Sequence, residues 1–92
     1  MFEFDLSDEL KLKMGKLAKK DRRRVELINN KIREIIDNDR ASVQRYKNLR
    51  HGMKHLKRVH VDRNFVLTFM VDEKRNFILF ADFDHHDKIY RR

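Results

Sequence analysis

The stretch "FVLTFMV", from Phe65 to Val71, constrains this chain more than any other. Every position but Thr68 is apolar, so both faces of the segment must be buried, and the run is too short for a typical core helix. Its β-branched and aromatic residues suit a pleated strand. A strand buried on both faces sits inside a sheet, and its neighbours flank it in sequence. Upstream, Lys57, Val59 and Val61 face one way while Leu56, Arg58 and His60 face the other. "DRN" makes a tight turn between the two segments. Downstream, "DEKRN" is a second turn and "FILFADF", Phe77 to Phe83, a third strand. The three read as an antiparallel meander.

A meander needs a cover, and the N-terminal part of the chain supplies it. "MFEF" alternates, with Phe2 and Phe4 on one side, and reads as a short strand. Ser7 is placed to cap a helix whose first turn carries Asp8 and Glu9. Leu6, Leu10, Met14 and Leu17 follow at helical spacing. After the break "KKDRRR", Asp21 caps a second helix with the stripe Val25, Ile28, Ile32, Ile35 and Ile36, ending at Asn38-Asp39. So short a turn demands an antiparallel helical hairpin. Ala41 to His55 is a basic loop containing Tyr46, Leu49 and Met53. The expected order is β-α-α-β-β-β. This is one α+β domain over residues 1–92, with the N-terminal strand and helical hairpin packed on one face of an antiparallel sheet.

The other face is expected to present an open basic cleft. Residues 1–40 hold 11 basic and 9 acidic residues, a net of +2, whereas residues 41–92 hold 12 and 6, a net of +6. Between Arg45 and Arg63 stand seven basic residues and the single acid Asp62. A stripe of this kind is the footprint of a phosphate-backbone binder. The chain has no cysteine, which excludes disulfides and thiolate metal sites. It has no apolar run of membrane-spanning length and no signal-peptide pattern, so a cytoplasmic place is expected, away from any membrane.

The histidines sharpen the reading. Cleavage of RNA by its own 2′-hydroxyl requires a base for that hydroxyl, a charge to stabilise the phosphate and an acid for the leaving 5′ oxygen. Histidine suits both proton transfers, and lysine and arginine suit the phosphate. An aromatic ring can stack on a splayed base. His60, His86, Lys57, Arg58, Arg63 and Tyr90 supply each type. In any regular structure His85 and His86 would point in different directions, so at most one of the two is expected to act. His51 and His55 have the spacing of a helical metal pair, but no carboxylate accompanies them and the surrounding charge is positive. No metal and no cofactor is expected.

With these residues in view, "KRVHVDRNFVLTF" followed by "HHDKIY" resembles the RelE/ParE superfamily of toxins from type II toxin–antitoxin systems. The likeness spans nearly the whole chain and is strongest to the YafQ branch. That branch has a strand histidine followed four residues later by a turn aspartate and then tryptophan, where this chain has His60, Asn64 and Phe65. It also has a tail histidine four residues before an aromatic, here His86 before Tyr90. The resemblance implies a metal-independent mRNA endonuclease acting in the ribosomal A site and silenced by a cognate antitoxin. It implies a catalytic set of His60, His86, Tyr90 and Asn64. The RNA- and phosphate-binding set is expected to be Lys47, Lys54, Lys57, Arg58, Arg63 and His85. Three positions depart from the family. Asn64 cannot ionise, Val66 replaces a catalytic arginine of the RelE branch, and Lys47 stands where the YafQ branch has another histidine. Two other functions fit the same fold, a ParE-like inhibitor of DNA gyrase and a non-enzymatic RNA-binding domain. The paired histidine positions favour the nuclease.

Overall fold

The computed structural model describes residues 1–50, 53 and 55–90. Its elements run β1 (Glu3–Leu6), α1 (Asp8–Lys20), α2 (Arg22–Ile36), α3 (Arg40–Val43), β2 (Lys57–Val61), β3 (Phe65–Asp72), β4 (Phe77–His85) and α4 (His86–Tyr90). A capping side chain stands at the start of each of the first three helices. Ser7 Oγ accepts the Leu10 N–H at 3.1 Å, Asp21 Oδ1 the Arg24 N–H at 3.0 Å and Asp39 Oδ1 the Ser42 N–H at 2.7 Å. Asp21 also closes α1, because its own N–H donates to the Leu17 carbonyl. One residue thus ends one helix and begins the next, which is why the hairpin turn is so short.

The sheet order is β1-β4-β3-β2. The meander is antiparallel as expected, and Val66, Leu67, Thr68 and Phe69 of the central β3 are all buried. The N-terminal strand differs from expectation. It does not pack on a face but extends the sheet, pairing in parallel with β4 from Glu3↔Phe77 to Leu6↔Phe80. The competing edge, along β2, is already taken, since Arg58 N–H donates to the Lys47 carbonyl and Asn48 bridges Lys57. Phe2, just before β1, is buried and its N–H donates to the Ile36 carbonyl, tying the strand to the end of α2. Phe4 stays half exposed, edge-on to Phe80.

Ile28, Ile32 and Ile35 of α2 pack with Leu67, Phe69, Ile78 and Phe80 into the main core. The far face is not bare. A smaller cluster of Leu49, Val66 and Ile89, flanked by Met53 and Leu56, roofs part of it. The basic loop begins with the single turn α3 and then lays Tyr46 edge-on against Phe69, 5.5 Å between ring centroids. Asp62 and Asn76 take positive φ angles of 64° and 54° in the two turns, a region that Asx side chains tolerate. Among the described residues, no helix is long and apolar enough to cross a membrane.

Candidate active site

Strand pairing decides which side chains share the far face. Directly opposed residues of an antiparallel pair point the same way. The rows His60–Val66–Asp84 and Arg58–Thr68–Asp82 therefore lie on one side, with Ile89 packed over Val66. The row Val61–Phe65–His85 lies on the other. His60 is exposed at the β2 end of its row. Two strand spacings, roughly 10 Å, separate its Cα from that of Asp84.

The tail completes the site. His86 N–H donates to the Asn64 carbonyl at 2.8 Å, which anchors the first residue of α4 to the β2–β3 turn. One helical turn then buries Ile89, 1% exposed, and leaves Tyr90 45% exposed beside the sheet. The Tyr90 ring has the Arg58 guanidinium 5.6 Å from its centroid and the His86 ring centroid at 6.2 Å. A guanidinium, a phenol ring and an imidazole thus meet at one point. Asp87 Oδ1 lies 2.9 Å from His86 Nδ1, which leaves Nε2, across the ring, outside that contact.

Several expected residues do not join this group as read from the sequence. Lys57 is a correction. It lies on the helix side of the sheet, 5% exposed, and its ammonium donates to the carbonyls of Tyr46 and Gln44 and to Asn48 Oδ1. Burial pulls its pKa below the ordinary value, while Glu73 opposes the shift. It holds the basic loop against β2 and does not offer its charge to a phosphate. Asn64 takes part through its backbone carbonyl. Arg63 is exposed in the same turn, and Lys47 is exposed beside β2. Lys54 and His51 lie outside the described residues.

His85 and His86 also depart from expectation. Their rings stack, centroids 4.9 Å apart and 29° between planes, because β4 ends and α4 begins between them. The alternation of a strand no longer applies across that junction. His85 also lies edge-on to Phe65, which stacks on Phe83 and has the Arg24 guanidinium 4.2 Å from its ring centroid.

Other contributors escaped the sequence reading. Asp87 stood in the quoted tail with no pattern to single it out. Lys13 of α1 reaches the end of β4, 2.6 Å from Asp82 Oδ1 and 3.0 Å from Asp84 Oδ2. Burial works against the Lys13 charge, but the hydrogen bonds to Asp82 and Asp84 raise its pKa above the ordinary value. Burial likewise works against the Asp84 charge, yet the Lys13 hydrogen bond and the His85 N–H together hold its pKa below the usual 3.8. This cluster fixes the strand end from which the histidine-bearing tail departs.

Comparison with known proteins places the molecule. No family model matches the chain. An uncharacterised protein of Methanosarcina mazei is 47% identical over 90 residues, covering 98% of this chain and all of its own length. A Methanocaldococcus jannaschii protein that carries the name toxin RelE4 is 42% identical over 92 residues, covering all of this chain and 94% of its own. Among solved structures, Escherichia coli YafQ superposes with a TM-score of 0.73 at 17% identity, covering 98% of this chain and 99% of its own. The YoeB/ParE toxin from Agrobacterium tumefaciens superposes with a TM-score of 0.77 at 15% identity, covering 92% and 99%. At those identities the structures speak for the fold, and the full-length archaeal relative speaks for the family. A helical hairpin over a four-stranded sheet, an ordered histidine-bearing tail and a full-length RelE-named relative agree, and the chain belongs to the RelE/ParE superfamily of toxins.

Proposed function

We propose that this toxin is a metal-independent mRNA endonuclease that acts on the translating ribosome and is held silent by a cognate antitoxin. The observation that carries this reading is the convergence of Arg58, Tyr90 and His86 on the face that also bears His60. Tyr90 stacks on a nucleotide base and Arg58 takes the scissile phosphate. His60 and His86 stand on opposite sides of that phosphate and serve as the acid–base pair for 2′-hydroxyl attack. Asp87 is a positioning residue that holds the His86 ring with Nε2 outward. Solved neighbours of the same fold include a Staphylococcus aureus YoeB–YefM complex and an Escherichia coli DinJ–YafQ complex, which supports an antitoxin partner here. The basic surface suits a partner rich in carboxylates.

The test is single-turnover cleavage of mRNA programmed on purified ribosomes. The expected product ends in a 2′,3′-cyclic phosphate, because the attacking group is the RNA's own hydroxyl. A chelator leaves the rate unchanged. Intact mRNA together with inhibited DNA gyrase would replace this reading with the gyrase-directed one.

A further inference from the structure

The junction of β4 and α4 gathers two imidazoles and a carboxylate at the rim of the site. We propose that His85, His86 and Asp87 bind a divalent transition cation such as Zn²⁺, and that the ion silences the toxin. His85 Nδ1 accepts the Asp87 N–H at 3.2 Å, so it is the unprotonated nitrogen of the ring, and a metal takes its lone pair in exchange for that hydrogen bond. His86 Nδ1 is 2.9 Å from Asp87 Oδ1, and His85 Nδ1 is 3.7 Å from Asp87 Oδ2. One donor atom from each residue lies within 4.8 Å of the others. Tetrahedral zinc with bonds of about 2.0–2.2 Å wants its donors roughly 3.3 Å apart. Modest side-chain rotations cover the difference. All three side chains are at least 37% exposed and have room to make them. Imidazole nitrogens with a carboxylate favour zinc, nickel or copper over magnesium and calcium, which prefer all-oxygen sites. Lys88, the next residue along α4, has its ammonium 4.0 Å from Asp84. The fourth position stays open to water.

The consequence for chemistry is inhibition. The ion takes the Nδ1 lone pair, and the proton that Nδ1 shared with Asp87 passes through solvent to Nε2 of the neutral ring. With Nδ1 on the metal, Nε2 then holds the ring's single proton and cannot accept one from a 2′-hydroxyl. Asp87, now a ligand, no longer orients the ring. The binding half of this proposal stands on geometry alone; the silencing half rests on the nuclease reading.

The test is calorimetric titration of the full chain with ZnCl₂, and separately with MgCl₂, at neutral pH. One saturable zinc site and no magnesium site are expected. Asp87→Asn, shown by circular dichroism to be folded, weakens zinc at least about tenfold, because it removes the anionic ligand. The double variant His51→Gln/His55→Gln, which removes the other closely spaced histidines of the sequence, binds as the parent does. Unweakened binding by Asp87→Asn overturns the site, and so does loss of binding in the His51/His55 variant. In the ribosome assay, zinc slows cleavage and a chelator restores it. Undiminished cleavage with zinc bound overturns the silencing. A chain that binds zinc but cleaves nothing in its absence refutes the nuclease reading and leaves the site standing.

Discussion

Lys57 and Arg58 are adjacent and alike in charge, yet they have opposite fates. Alternation along β2 separates them correctly, but it does not say which side the helices will cover. The covered side holds Lys57. Arg58→Gln is expected to lower the slope of log affinity against log salt by about one for RNA or ribosomes. Lys57→Gln is expected to leave that slope unchanged and to cost stability of about 1–3 kcal/mol, since carbonyls of the loop lose their donor. Parallel salt titrations of the two variants, with urea melts, check both. His60→Ala and His86→Ala are each expected to slow single-turnover cleavage by roughly 10²–10⁴. Full activity in the double variant would remove the acid–base pair from the mechanism. These histidines, with Arg58 and Tyr90, could be singled out in the sequence because the proposed reaction calls for their chemical types. Asp87 was not, because a carboxylate beside a histidine acquires its role only when the backbone turns one toward the other.

The helices are the most legible elements, because an apolar stripe and a capping residue both survive in one dimension. Ser7 and Asp21 cap where expected. The direction of β1 was not legible, since four residues that alternate fit a parallel or an antiparallel partner equally well. The tail sits between these cases. Its residue types drew attention in the sequence, but its conformation depends on Ile89 entering the small cluster with Leu49 and Val66, which are distant in sequence. Ile89→Ala is expected to cost about 2–3 kcal/mol, toward the lower end for core truncations because the cluster is small. It is also expected to reduce cleavage with little change in the circular dichroism spectrum. Amide exchange reports the cause directly, since the His86 N–H bonded to Asn64 should exchange faster than in the parent protein. Unchanged protection there would separate α4 from the cluster.

At the scale of the whole molecule, the first helix and the last strand are joined by Lys13, Asp82 and Asp84 across about 70 positions. No local pattern encodes such a tie. The lowered Asp84 pKa gives stability that is complete above the ordinary carboxylate value and fades as pH falls through the lower folded-state value. The raised Lys13 pKa gives stability that is complete below 10.5 and fades as alkali titrates the folded ammonium. Lys13→Met is therefore expected to lower the melting temperature at neutral pH, with the gap to the parent closing below pH 3.8. A gap that persists unchanged into acid would assign the loss to packing instead. The pairing of β1 with β4 has a further bearing on how the fold assembles. The two strands lie more than 70 positions apart, so they can meet only after most of the chain between them has ordered. α4 leaves the far end of the same β4, and the segment that carries His86 and Tyr90 is therefore expected to settle late in folding, together with that edge.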